Sequence, residues 1–214
     1  MVRAVAEKPI IFSAPMIRAL LEGRKTQTRR FLRLPLWRGV RGSYGWRPFD
    51  PSLPEDREAM ALCGPYGATG DLLWVRERWR TYCAAAGELQ FADDTVRRCG
   101  SDEFWAHKRS DGRWASPIHM PRWASRLTLR VESVRVERVQ EITDKGAAAE
   151  GVRCYICDGP VDGMSENDCA CFHSRAAARE SFEMLWNSIN GKKPGRAWAD
   201  DPWVWVIGFS VVQP

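Results

Sequence analysis

The densest group of reactive side chains lies in Gly23-Arg24-Lys25-Thr26-Gln27-Thr28-Arg29-Arg30, where four cations and three hydroxyl or amide groups fall within eight residues. Neighbouring arginines disfavour the ammonium form of a lysine. A desolvated lysine amine can then take the proton from a hydroxyl and make it a nucleophile. A basic run of this kind also serves as a solvated loop or as a phosphate contact. Glu150 is the second group to single out. It is expected in the last turn of a short helix, where a carboxylate faces the negative end of the dipole at a cost of a few tenths of a kcal/mol. That placement suits a site that wants a carboxylate of raised pKa or one held by a cation.

A third group is Cys154-x2-Cys157-x11-Cys169-x-Cys171, with His173 two residues on. The first pair has zinc-knuckle spacing. The second pair is tighter than usual, so His173 stands as a substitute ligand. The segment between the pairs has almost nothing apolar to fold around and needs a staple. A structural zinc in a Cys-rich insertion at about 153–173 is therefore expected, against the alternative of a flexible insertion with reduced thiols. Four or five protein ligands would close the coordination sphere, which argues for a structural rather than a catalytic ion.

Gly23-x-Lys25-x-x-Thr28-x-Arg30 resembles the G-x-K-x-x-[ET]-x-R signature of the ASCH family, a branch of the PUA-like β-barrels associated with RNA and nucleosides. Four further stretches look like the longer phage and prophage members. They are Gly70-Asp71-Leu72-Leu73-Trp74-Val75-Arg76-Glu77, Met120-Pro121-Arg122-Trp123-Ala124, Trp186-Asn187-Ser188-Ile189-Asn190-Gly191 and Pro202-Trp203-Val204-Trp205-Val206-Ile207. The resemblance implies an α+β fold, a small β-barrel with flanking helices and long loop insertions. In a hydrolytic branch of the family, acting on N(4)-acetylcytidine, a Lys-Thr-Glu triad carries the chemistry. Residue by residue, that triad matches Lys25, Thr28 and Glu150. The resemblance also implies substrate contacts from Arg24, Arg30, Arg76, Glu77, Arg122 and Trp123, although Trp123 reads equally as a core residue.

The implied activity is removal of an acyl group from the exocyclic amine of a modified cytosine nucleoside or base. Two mechanisms fit the triad. In one, Lys25 deprotonates Thr28, which attacks the acyl carbon. In the other, Glu150 activates water and Lys25 stabilises the oxyanion. A reading of a different class also stands: a non-catalytic module of phage or prophage origin that binds RNA or single-stranded DNA, with Lys25 and the arginines on phosphate.

Composition is compatible with both readings. The chain has 214 residues, 44% hydrophobic, with a net charge of +5 and eleven tryptophans that can serve as core or as base-stacking surfaces. No apolar run approaches membrane-spanning length and no signal-peptide core opens the chain, so a cytoplasmic protein without membrane or organic cofactor is expected. The seven cysteines then read as reduced or metal-bound.

The elements that must position these groups follow from local pattern. Pro9 to Phe12 reads as a strand, and Ser13 to Glu22 as a helix stopped by Gly23. Phe31 to Leu36 is expected to extend a strand. Residues 37–69 and 81–116 show little periodicity and read as irregular excursions. Leu72 to Val75 is a buried strand. Leu127 to Val139 alternates but slips phase at Glu132-Ser133, which predicts a bulge. Thr143 caps a short helix ending at Glu150, with Gly151 beyond it. Ala176 to Ile189 carries an apolar stripe at helical spacing. Trp203 to Val211 is apolar on both faces and belongs inside the sheet. A single domain, residues 1–214, is expected.

Overall fold

The alternation over 203–211 forms the strand at the centre of the molecule. The structure is a computed structural model, and it describes residues 4–33, 39–42, 45–83, 87–98, 112–154 and 176–212. The chain runs through β1 (Glu7–Ile11), α1 (Ala14–Leu21), β2 (Gln27–Phe31), β3 (Gly39–Gly42), β4 (Gly45–Pro48), α2 (Pro54–Cys63), β5 (Leu72–Arg76), β6 (Trp79–Cys83), β7 (Glu88–Phe91) and β8 (Val96–Arg98). It continues through β9 (Thr128–Arg138), α3 (Asp144–Ala149), α4 (Ala176–Asn190) and β10 (Trp203–Val212). This is a mixed α+β architecture.

Five strands make the main sheet in the order β1-β5-β9-β10-β2. β10 lies between β9 and β2 and is antiparallel to both, the interior place its two apolar faces require. The register of β9 and β10 shifts where the phase slip predicts it. Gly208 faces Ser133 and Phe209 faces Val131, so Glu132 is the extra residue. A side chain at position 208 would put Cβ 2.6 Å from Ser133 Oγ, which is why glycine stands there.

The main sheet is open, not the closed barrel expected. Among the described strands, the edges β1 and β2 do not pair with each other. A side chain spans the seam instead: the Arg30 guanidinium of β2 donates to the Ile11 carbonyl of β1 and lies 5.0 Å over the Phe12 ring.

One face of the sheet packs Ile207, Trp205 and Val131 against Ile17 and Leu20 of α1 and Met60 of α2. The other packs Val204 and Val206 against α3 and α4 through Ala147, Phe182 and Trp186. The two excursions expected to be irregular contain regular structure. In the first, β3 pairs with β4, and α2 starts at Pro54 with Glu55 and Asp56 in its first turn. In the second, β6, β7 and β8 form a three-stranded sheet over a third core containing Trp79, Leu89, Phe91 and Met120. Periodicity misses these elements because each is short. β2 ends at Phe31, short of the expected Leu36.

Candidate functional site

Gly23, with a φ of +72°, ends α1, and the chain turns back along the helix it has just left. The Lys25 amide donates to the Ala19 carbonyl at 3.0 Å, and the Thr26 amide donates to the Ala149 carbonyl of α3 at 2.9 Å. α3 itself starts where Thr143 Oγ1 accepts from the Gly146 amide at 3.0 Å. The C-terminal ends of two short helices are thereby tied together through residues 23–26. Gly151, with a φ of +72°, closes the junction, and a Cβ there would come within 2.8 Å of both Ala19 Cβ and Lys25 Cβ.

That junction brings Lys25 and Glu150 together. Lys25 Nζ donates to Glu150 Oε2 at 3.0 Å, to the Glu150 carbonyl at 2.8 Å and to the Gln27 carbonyl at 2.9 Å. An ammonium has three protons, and each has an acceptor here. The lysine also lies at the negative end of the α3 dipole, where a cation is favourable. Burial lowers its pKa; the Glu150 charge and hydrogen bond oppose this, while Arg30 and Arg29 reinforce it. Glu150 is held on its other oxygen by Arg29 Nη1 at 3.3 Å, and Arg29 Nη2 reaches Glu137 at 3.1 Å.

β2 offers a free edge to this cluster. The Phe209 amide donates to the Thr26 carbonyl and the Leu32 amide to the Trp203 carbonyl, so the even-numbered residues bond to β10. The backbone groups of Gln27, Arg29 and Phe31 face away from it. A cavity of about 70 Å³ lies along that edge, lined by Thr28, Arg29, Arg30 and Glu150, with Phe182 and Trp186 of α4 among its apolar walls. Pockets for drug-sized ligands run to roughly 300–1,000 Å³, so this one accepts a small group and not a whole nucleoside.

The remaining candidates are dispersed. Arg24 donates to the Gly151 carbonyl at 3.2 Å and pairs with Glu22, behind the junction. Arg76 stacks its guanidinium 4.5 Å from the Trp74 ring. Glu77 makes a two-point pair with Arg126 at 2.8 and 2.9 Å. Arg122 pairs with Glu7 at 2.8 Å on the surface, and Trp123 packs edge-on against Trp79 over the third core. None of these five lines the cavity. Cys154 is buried, while Cys157, Cys169, Cys171 and His173 lie outside the described residues. Among the described residues no group of His, Cys, Asp or Glu forms a metal cluster, and no helix is long and apolar enough to cross a membrane.

Sequence reasoning passed over Arg29 as a ligand of Glu150, and it passed over Glu137 and the α4 wall altogether. Arg29 and Glu137 lie 108 positions apart, and only the antiparallel register of β2, β10 and β9, with both opposite or near Val206 and Val204, brings them close. The stripe on α4 signalled burial but not what it buries.

The chain matches no known family, no curated protein and no solved structure.

Proposed function

We propose that this protein is an ASCH-type amidohydrolase, which removes an acyl group from the exocyclic amine of a modified cytosine nucleoside or base. The observation that carries this reading is the buried Lys25–Glu150 pair, closed at 3.0 Å between residues 125 positions apart and bordering a cavity that Thr28 also lines. A buried ion pair contributes little net stability after desolvation. One that borders a cavity is better placed for chemistry than for folding. The cavity has room for an acyl group while the base stays outside.

The geometry around Lys25 favours water over Thr28 as the nucleophile. Lys25 as base must be neutral, and a neutral amine would turn its lone pair toward one of three acceptor oxygens. As an ammonium it satisfies all three. In the favoured route Glu150 gives up its longer contact, to Arg29, and accepts a proton from water as the oxygen adds to the acyl carbon. The carbon–nitrogen bond breaks as that proton passes to the leaving amine, and Lys25, releasing one of its backbone acceptors, stabilises the oxyanion. In the other route Thr28 Oγ1 adds, an ester forms, and water hydrolyses it. Thr28→Ala and Lys25→Arg separate the two, since both variants keep much of the rate if water attacks. Incubation with N(4)-acetylcytidine and N(4)-acetylcytosine, read by chromatography, tests the activity itself; no cleavage of any acylated cytosine sinks the reading.

One observation favours the non-catalytic alternative. Arg78 and Arg80 lie 5.1 and 4.8 Å from the Trp114 ring, an arrangement of cations and aromatic surface suited to single-stranded RNA or DNA. Binding of that kind weakens steeply with salt. A retained affinity for oligonucleotides with a steep salt slope, and no turnover, would favour it.

We also propose a structural zinc held by Cys154, Cys157, Cys169 and Cys171, with His173 as a substitute ligand. The buried position of Cys154, at the start of the insertion, supports it.

A further inference from the structure

The cavity at the free edge of β2 gathers more positive charge than its acids balance. Lys25 and Arg29 share Glu150, and Arg29 shares Glu137 with Arg135. Arg30 makes no ion pair among the described residues. Its Nη2 donates to a backbone carbonyl, and the nearby Tyr66 phenol is kept protonated by burial. Two guanidinium nitrogens, Arg29 Nε and Arg30 Nε, are buried without a hydrogen-bond partner among the described residues. Arg29 is only 6% exposed, and both arginines line the cavity.

A buried donor left without an acceptor costs on the order of 1–3 kcal/mol, so an acceptor is wanted at each. The cavity holds more than the roughly 10–15 Å³ that one water needs. Water satisfies an N–H, but it does not neutralise charge. A neutral amide carbonyl has the same shortcoming. An oxyanion does both, and guanidinium donors bind it through charge-assisted hydrogen bonds. Glu150 does not fill that place, because its two oxygens are already turned to Lys25 and Arg29.

We propose that this cavity receives an oxyanion carried on the acyl group, so the ligand is a nucleoside whose acyl group bears a carboxylate. This rests on the reading that the cavity is the substrate site, and it narrows the substrate class within that reading.

Calorimetric titration of the full chain tests it, with cytidine, cytidine 5′-monophosphate, N(4)-acetylcytidine and N(4)-succinylcytidine as probes and inorganic phosphate as competitor. One charged probe should bind at least about 10-fold more tightly than its neutral counterpart, the scale of one charge-assisted hydrogen bond. Preference for N(4)-succinylcytidine is the expected result; preference for cytidine 5′-monophosphate alone overturns the proposal. Arg30→Gln should weaken the charged probe more than the neutral one and so erase that advantage, while Arg30→Lys should keep part of it. If Arg30→Gln does not fold, the wild-type comparison decides alone. Equal affinity for charged and neutral probes overturns the proposal. So does failure of every charged probe to bind at millimolar concentration, or an advantage that survives both Arg29→Gln and Arg30→Gln. Amide cleavage is read separately. Turnover of N(4)-acetylcytidine with no preference for charge defeats this inference and leaves the amidohydrolase standing. Tight binding of a charged probe without cleavage does the reverse.

Discussion

Two buried ionic clusters stand among the described residues, and they differ in what they leave unfinished. In the first, Lys25, Glu150 and Arg29 meet beside a cavity, and the Nε of Arg29 has no partner among the described residues. In the second, Arg126 pairs with Glu77 at 2.8 Å and with Asp93 at 2.7 Å, and its guanidinium lies 4.3 Å over the Phe91 ring. The Arg126 cluster joins the end of β5 to the turn after β7, and no cavity described above touches it. Both contain residues singled out from sequence. A charged group with its hydrogen bonds completed inside the protein holds elements together. One with donors to spare beside a cavity is arranged for something that is not protein.

The largest effect should come from the cavity cluster. Glu150→Gln is nearly isosteric and should lower amide turnover per folded molecule by roughly 10²–10⁴-fold. If turnover in that variant matched wild type, the two clusters would no longer differ in kind. Arg126→Met should do the opposite. It leaves Glu77 and Asp93 buried without their cation, at a cost of about 3–5 kcal/mol in chemical denaturation. Activity per folded molecule should hold. A variant as stable as wild type would break the assignment of that cluster to folding.

A difference in pH dependence sharpens the contrast. Burial raises the Glu77 pKa, so the folded state holds its proton where the unfolded state has lost it. Its contribution to stability is present below the ordinary carboxylate range and is lost as pH rises through the raised value. Burial lowers the Lys25 pKa, so the unfolded chain holds the proton longer. The penalty for burying that charge is full below the lowered value and is relieved as pH rises toward the ordinary lysine range. Relative to Glu77→Gln, wild type should lose stability with rising pH on the acid side. Relative to Lys25→Met, it should gain stability on the alkaline side. Slopes of the same sign would contradict this account. A smaller effect is expected at the junction: Gly151→Ala meets Ala19 and Lys25 at a positive φ and should cost about 1–3 kcal/mol.

Metal analysis of protein purified without added zinc should find about one ion per chain, and Cys154→Ser with Cys157→Ser should release it. A ratio near zero in reduced protein removes the zinc. It would leave both ionic clusters untouched.

Local signals carried the parts of the fold that depend on neighbours in sequence. Gly23, Thr143 and Gly151 mark helix ends because caps are written in adjacent residues. The bulge at Glu132 shows as a break in alternation. Lys25 and Glu150 were legible as groups, since their types and their places at helix ends are local facts. Their partners were not. Arg29 reads as one more cation in a basic run until β10 sets its distance from Glu137. Glu77 reads as the charged exit of a buried strand, and nothing nearby shows that Arg126, 49 positions on, closes over it. The closed barrel failed because closure depends on which strand edges meet, and hydrophobic alternation is silent on edges.

The seam between β1 and β2 has a kinetic meaning. Parting two paired strands breaks a ladder of backbone bonds at once, and such openings are rare. Here the wall is fastened by the Arg30 side chain on the Ile11 carbonyl and the Phe12 ring. Side-chain torsions relax far faster than sheets come apart. Amides of β2 should therefore exchange with solvent well before those of β10, and slowing of that exchange by a charged ligand would show that traffic into the cavity passes a latch rather than a wall.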